Sequence, residues 1–261
     1  MMNFYKTICI MDSKVAFQEK IMLRFNSVVV FLFFASSFLA GQTLTGISGG
    51  VNLSHPIDNE SNSNDRAESD FSGKFSYSFL LEIKGRKPKK FHPGASLMVY
   101  QSCYNWYARE SSHLADGHDI NYRIEYMRIS IFPEFTKGDT FQLFCNLGPY
   151  LNFMLHSSKN GTSWTYKYID YYPRLVTENE TGPASEDFKK TDFGLQASIG
   201  INYFILPWLG LTFQWNGSIG FINLNKTNLG GKVRNFGFSF LVGASFKVPA
   251  NKSHNENHPV N

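Results

Sequence analysis

No apolar run in this sequence is long enough to cross a bilayer as a helix. The longest, Val28–Ala40, has 13 residues, whereas a spanning helix needs about 20. Mean hydropathy is also low, at −0.24. These values exclude a helical membrane protein but not a transmembrane β-barrel, because the alternating strands of a barrel average out in a hydropathy window.

The sequence also has few cysteines and little net charge. The cysteines are Cys9, Cys103 and Cys145, and the last two fall on predicted strands that have another strand between them. A disulfide requires Cα atoms within about 7 Å, so we expect two small packing residues and no bridge. The net charge of +4 is small and scattered, which argues against a nucleic-acid partner.

The densest basic cluster surrounds Pro88 and is predicted to form a solvated or headgroup-facing turn. No specific anion site is expected in this turn. Its basic members are Lys84, Arg86, Lys87, Lys89 and Lys90.

The sequence carries no complete catalytic motif. Gly46–Gly50 has the spacing of a hydrolase nucleophile elbow, but that motif needs a strand, a sharp turn and a helix. Here the match lies inside an alternating strand, so we expect structural glycines. His156-Ser157-Ser158 has the residue types that lipid-A-modifying barrel enzymes use near the membrane surface. No partner that would orient the histidine is identifiable, so we expect a polar strand end.

One compact cluster has side chains that can bind a metal. Its members are His113, Asp116, His118 and Asp119. The two histidines are five residues apart, which suits a loop site, but no cysteine or further carboxylate completes the ligand set. We therefore expect an outer loop with incidental histidines, no bound metal and no cofactor.

What the sequence does have is period-two alternation. From Phe193 to Ile205 large apolar residues alternate with mostly Gly, Ser, Asn and Gln, and Leu209–Phe221 and Phe236–Phe246 repeat the pattern. Period two places each set on one face of a strand. Small uncharged polar residues suit a narrow interior, and bulky apolar residues suit lipid. This inside-out arrangement predicts a transmembrane β-barrel.

We predict an all-β fold, an antiparallel up-and-down transmembrane barrel of eight strands. Short connections alternate with long ones, as in barrels with short periplasmic turns and long outer loops. Side chains fill the lumen of so small a barrel, and parity places Tyr150, Gln196, Gln214 and Asn216 there. A barrel of ten strands is the alternative, because the irregular segment 157–189 has room for another hairpin. The predicted strands are Thr43–Ser54, Phe71–Ile83, His92–Trp106, His118–Phe135, Thr140–His156, Phe193–Ile205, Leu209–Phe221 and Arg234–Val248.

The predicted barrel occupies residues 42–248 and follows an export signal. Residues 22–41 have the basic start, apolar core and small-residue exit of a secretory signal peptide, with cleavage expected after Gly41. Residues 1–21 are interpreted as an upstream extension from a mis-assigned start, and residues 249–261 as a polar tail. Export and the barrel pattern together predict the bacterial outer membrane as the location.

Three stretches resemble the PorT-type outer-membrane β-barrel family. Gly148-Pro-Tyr-Leu-Asn-Phe-Met-Leu155 is similar to that family's Gly-Pro-Tyr-Leu-x-x-x-Leu stretch, and Asp187–Gly194 is similar to the entry into its sixth strand. Asn235–Phe240, with Gly243 and Phe246, resembles its closing strand. The resemblance covers most of residues 42–248. It implies an outer-membrane barrel, with protein secretion for some members and no defined activity for most.

Aromatic residues are concentrated in the predicted third outer loop. At this density they stack on sugars or anchor a partner, and they equally suit an aromatic belt or extra strand length. We expect a non-enzymatic barrel with a structural, interaction or secretion-accessory role, whose partners are outer-membrane lipid and other envelope or secretion proteins. The alternatives are a lipid acyl hydrolase or transferase and a soluble lipocalin-like barrel. The candidate contact residues are Trp164, Tyr166, Tyr168, Tyr171 and Tyr172.

Overall fold

A computed structural model describes most of the predicted barrel. The described residues are 43–55, 57–58, 68–85, 91–109, 116–169, 171–226 and 233–248. The predicted upstream extension, signal peptide and polar tail lie outside them, as do residues 86–90 of the basic turn.

Strands account for most of the described residues, as the period-two pattern predicts. Within this part of the chain, no helix is long and apolar enough to cross a membrane. The strands are β1 (Thr43–Ser54), β2 (Ile57–Asp58), β3 (Glu68–Gly85), β4 (Phe91–Arg109), β5 (Gly117–Lys137), β6 (Phe141–Ile169), β7 (Tyr172–Gly182), β8 (Thr191–Leu206), β9 (Leu209–Gly220), β10 (Val233–Arg234) and β11 (Phe236–Val248).

Eight of these strands pair into a closed antiparallel ring. The ring closes where β11 pairs with β1, from Val248 opposite Thr43 to Gly237 opposite Ser54. Closure leaves no strand edge exposed to lipid, which could not hydrogen-bond it. The predicted eight-stranded up-and-down barrel is confirmed. The ten-stranded alternative is wrong, because among the described residues β7 pairs with β6 alone. The order around the ring is β1, β3, β4, β5, β6, β8, β9 and β11.

The barrel is apolar outside and polar inside. On β8 and β9, Ile199 is 63% exposed and Trp215 is 60% exposed, whereas Gln196, Gln214 and Asn216 are buried. The outer face therefore offers bulky apolar side chains to lipid, and the polar face lines the lumen. A lipocalin-like barrel would need the reverse arrangement, so that alternative is wrong.

Glycines on β8 make room for aromatic rings from β6. A Cβ at Gly194 would lie 2.6 Å from the Tyr150 hydroxyl, and a Cβ at Gly200 would collide with the Phe144 ring. Both rings are buried in the lumen. Glycine is therefore needed at these two inward positions of β8, because rings of the neighbouring β6 occupy the space that a side chain would take.

Five strands continue outward past the ends of the other barrel strands. The β3–β4 ladder extends to Glu68 opposite Arg109, and the β4–β5 ladder extends to Arg109 opposite Gly117. Beyond this point β6 pairs with β7 as far as Ile169 opposite Tyr172. The expected irregular loop at residues 157–189 is therefore wrong over 157–182, where β6 continues and β7 returns. The side chains of β7 are exposed on both faces, so the contrast that marks a barrel strand is absent there.

Residues 183–190, between β7 and β8, turn inward over the outer mouth of the barrel, and we call this segment the lid. Its Phe188 ring packs edge-on against Tyr122 and Tyr104, with centroid distances of 5.0 and 6.0 Å. The Lys189 N–H donates a hydrogen bond to the Leu224 carbonyl at 2.7 Å. The lid thus closes the outer end of the lumen with apolar surface.

Candidate functional site

Three charged side chains meet inside the lumen near its short-turn end. Lys84 Nζ lies 3.1 Å from Glu82 Oε2 and 2.6 Å from Glu134 Oε2. It also lies 4.1 Å from the centroid of the Phe144 ring. Lys84 is only 4% exposed. The prediction that Lys84 belongs to a solvated or headgroup-facing turn is wrong, because β3 is still paired at this position and its parity points the side chain inward.

A second buried network fills the middle of the lumen around Arg128. Its Nε donates to Asn152 Oδ1 and its Nη2 donates to the Tyr100 hydroxyl, both at 2.9 Å. The guanidinium carbon also lies 4.0 Å from the centroid of the Tyr150 ring. Tyr150 in turn donates to Asp192 Oδ2 at 3.1 Å. A buried charge needs hydrogen bonds and an opposite charge nearby. Arg128 has the hydrogen bonds, and Asn152 and Tyr150 connect it to the carboxylate of Asp192.

The lumen is therefore filled along its length. The Lys84 cluster occupies the short-turn end, the Arg128 network the middle, and the lid the outer mouth. Burial of Tyr150, Gln196, Gln214 and Asn216 confirms the predicted lumen-facing set. The charged members were not expected from the sequence, although their inward parity was available as a signal. Glu82 and Lys84 alternate with the apolar Leu81 and Ile83.

The predicted contact residues all lie on the β6–β7 hairpin. Trp164, Tyr166 and Tyr168 share the outward face of β6, opposite Thr177, Leu175 and Pro173 of β7 respectively. Tyr171 occupies the tip with φ of +68° and is 98% exposed. Tyr172 begins β7 and is also exposed. The sequence suggested only that these residues cluster in a loop. The structure places three of them on one face of β6 and Tyr171 at the tip of the hairpin.

Contacts with the residue before β5 and with β4 hold this hairpin in place. The Tyr166 N–H donates to Asp116 Oδ1 at 3.0 Å, and the Trp164 ring lies 6.2 Å from the Tyr107 ring. Hydrogen bonds from the Thr165 side chain and then from the Tyr166 backbone lower the pKa of Asp116. The part of β6 that carries the aromatic face is therefore held in place by these contacts.

An ion-pair network ties the base of the hairpin to the lid. Lys159 Nζ lies 3.2 Å from Glu180 Oε2 on β7 and 3.4 Å from Asp187 Oδ2 in the lid. Burial lowers the pKa of Lys159, but Asp187 and Glu180 outweigh burial, so the net shift is upward. One cation thus joins three segments above the barrel wall.

The second edge of β7 is open in the part of the chain that the structure describes. β7 pairs with β6 along one edge from Tyr172 to Gly182, and no described strand pairs along the other. An open edge presents backbone N–H and C=O groups that an added strand can use. The hairpin therefore offers both an aromatic face and an unpaired edge.

The suggested metal-capable cluster is dispersed. His118 packs edge-on against Trp106, with ring centroids 3.9 Å apart, and burial lowers the pKa of His118. Asp116 is engaged by the hairpin, Asp119 is exposed, and His113 lies outside the described residues. Among the residues that are described, no three His, Cys, Asp or Glu side chains come together as metal ligands.

Two further sequence features have structural roles. Gly46–Gly50 lies within β1 and forms no strand–turn–helix junction, so it is no nucleophile elbow. Cys103 and Cys145 are free and lie on β4 and β6, with β5 between them.

The segment His156-Ser157-Ser158 presents its residues to two sides of β6. Ser157 is buried toward the lumen, whereas the register pairs His156 with Glu125 and Ser158 with Arg123 on the outward face. The structure thus supplies an acidic neighbour for the histidine, which was not expected from the sequence. Within the described residues, His156 makes no hydrogen bond to Glu125 or Ser158.

Comparison with known proteins identifies one matching family and several solved structures of low similarity. The family described as outer membrane protein beta-barrel domain matches residues 34–226. OprG from Pseudomonas aeruginosa is 13% identical with a TM-score of 0.41, over 81% of this chain and 97% of that chain. Ail, the attachment invasion locus protein of Yersinia pestis, is 12% identical with a TM-score of 0.37, over 78% and 99%. Neisserial surface protein A is 11% identical with a TM-score of 0.38, over 78% and 97%. No curated protein matches the chain.

Proposed function

This chain belongs to the outer membrane protein beta-barrel domain family, and from that premise we propose that it is a non-enzymatic interaction protein of the bacterial outer membrane. It contacts other envelope or secretion proteins through the β6–β7 hairpin. The observation that carries the proposal is the placement of Trp164, Tyr166 and Tyr168 on one outward face beyond the barrel wall. A secretion-accessory role, as the PorT-type resemblance implies, is the finer form of the same proposal.

The filled lumen supports a role outside the barrel. Lys84 and Glu134 at one end, Arg128 in the middle and Phe188 at the other end are all buried. Side chains occupy the space that a solute would need. Loops and hairpins on a rigid scaffold carry function more readily than its closed interior.

The chemistry of the hairpin suits a protein partner. Trp and Tyr are the residues most enriched among the anchors of protein interfaces, because they bury large area at low entropic cost. The open edge of β7 adds a way for an extended segment of the partner to gain backbone hydrogen bonds. A partner that uses both would pack on Tyr166 and Leu175 while pairing beside Val176.

Quantitative co-purification of envelope proteins tests this proposal. The test variant replaces Trp164, Tyr166 and Tyr168 by Ser, and the control variant replaces Thr177 and Asn179 of the same outward face by Ser. We expect the aromatic variant to lose at least one specific envelope partner that the control retains. Identical partner sets in wild type and both variants, with correct folding of each, would contradict the proposal.

A second candidate function is hydrolysis of an acyl ester in an outer-leaflet lipid, and the register of β5 and β6 favours it. Glu125 faces His156 across the ladder, and Ser158 follows on the same outward face. A serine nucleophile needs an adjacent base that a third group orients, and these residue types can fill the three roles if a bound lipid draws them together.

Lipid analysis by mass spectrometry separates the two candidates. Vesicles containing the wild-type protein would accumulate free fatty acid and deacylated lipid, and Ser158→Ala would abolish both products. Ser157→Ala is the matched control, because Ser157 faces the lumen. Absence of products with the wild-type protein removes this second candidate and leaves the first untouched.

A further inference from the structure

A row of basic side chains crosses the outward face of three neighbouring strands. Lys74 on β3 and Arg123 on β5 are both register partners of Cys103 on β4, one on each side of it. Both cations are exposed. Adjacent strands are about 4.8 Å apart, so the two long side chains can converge on a single group in front of Cys103.

This row lies at the upper border of the apolar band. Four residues further down β5 and β4, the outward positions are Met127 and Val99, which pair with each other. Exposed Phe79 continues the apolar surface on β3. A band of this kind ends where acyl chains give way to headgroups. The row around Cys103 is therefore at headgroup level.

The two cations lack an acidic partner in the part of the chain that the structure describes. Neither Lys74 nor Arg123 makes an ion pair there. The nearest outward acid along β5 is Glu125, and its Oε1 accepts hydrogen bonds from Tyr77 at 3.0 Å and Gln101 at 3.5 Å. The positive charge of the row is consequently available to an external anion.

A third donor stands beside the cations. Lys74 Nζ donates a hydrogen bond to Asn121 Oδ1. An amide whose oxygen is occupied in this way has its NH₂ group left to donate. Lys74, Asn121 and Arg123 together present ammonium, amide and guanidinium donors on one surface. Such a set matches the oxygens of a phosphate group, which charge-assisted hydrogen bonds recognise best.

We propose that Lys74, Asn121 and Arg123 bind the phosphate of an outer-leaflet lipid headgroup. The site is confined to one sector of the wall. The upper end of β8 and the residue that follows β9 carry aromatic rings instead, with the rings of Phe193 and Phe221 5.8 Å apart. The bound lipid therefore fixes one side of the barrel relative to its lipid surroundings. The inference concerns the barrel wall and does not rest on the hairpin function.

Native mass spectrometry of the full-length protein tests the site, with purified lipid A as the probe. The test variant is Lys74→Gln/Arg123→Gln. The control is Lys137→Gln/Arg174→Gln, which removes the same charge at exposed positions elsewhere. We expect about a tenfold loss of bound lipid A in the test variant, as two weakened charge-assisted hydrogen bonds imply, and no loss in the control. Dephosphorylated lipid A should bind wild type as weakly as lipid A binds the test variant.

Two further measurements keep the outcome decisive. Lys74→Arg/Arg123→Lys retains both charges and should restore most of the binding, which guards against a folding defect in the Gln variant. The proposal would be overturned if the Gln variant folds correctly and binds as much lipid A as wild type does. Equal binding of dephosphorylated lipid A would overturn it as well. Displacement of lipid A by inorganic phosphate at equal concentration would assign the site to free phosphate and overturn the lipid assignment.

Discussion

Replacing Lys84 by Met is expected to destabilise the barrel by about 3–5 kcal/mol, the range for removing one partner of a buried ion pair. The carboxylates of Glu82 and Glu134 each lie within about 3 Å of the Lys84 ammonium, so their oxygens are at most about 6 Å apart. At an effective dielectric constant of about 20, two negative charges at that distance repel by about 3 kcal/mol. Met keeps the length of the side chain and removes only the compensating charge.

Urea-induced unfolding in phosphatidylcholine vesicles, followed by tryptophan fluorescence, measures this loss. The triple variant Glu82→Gln/Lys84→Met/Glu134→Gln has no buried charge at this position and should recover to within about 1 kcal/mol of wild type, because uncharged replacements of buried ion pairs are often neutral. Lys137→Met removes an exposed lysine and serves as the control. The reasoning is refuted if Lys84→Met unfolds like wild type, or if the triple variant is no more stable than the single one.

Three further predictions address the wall, the lumen and the export signal. Ile199→Arg on the lipid face should cost about 2–4 kcal/mol near the midplane, and equal folding of the variant and wild type in bilayers would show that the facing is misassigned. In planar bilayers the protein should give no stable, large conductance steps, because side chains fill so narrow a lumen; regular large steps would contradict this. N-terminal sequencing of protein from the outer membrane should begin at or near Gln42, and a mature chain retaining Phe31–Phe34 would contradict the proposed cleavage.

The barrel wall was predictable because lipid on one side and a polar lumen on the other require apolar and polar side chains to alternate along each strand. Ile199 and Gln196 on β8 could be assigned to opposite faces from parity alone, and the structure agrees. The charged lumen was partly predictable, since Lys84 has inward parity. Its pairing with Glu134 depends on how β3 and β5 come together after closure, which no local pattern records.

The outer part of the molecule was harder to predict. The hairpin did leave a signal, since Trp164, Tyr166 and Tyr168 recur at every second position. Both faces of this extension lie outside the lipid, however, so no environment enforces an apolar–polar contrast between them. The lid gives still less warning, because Phe188 is buried by Tyr122, which is remote in the sequence.

The lid also has a mechanical consequence, because it is the covalent link between β7 and the barrel wall, whereas β6 runs into the wall directly. A pulling force applied at Tyr171 would divide between these two routes, and the part that runs down β7 would reach the lid before it reached β8. The Lys159 bridges to Glu180 and Asp187 would bear that part of the load first. A partner that pulls on the hairpin would therefore strain the cover of the lumen as well as the wall.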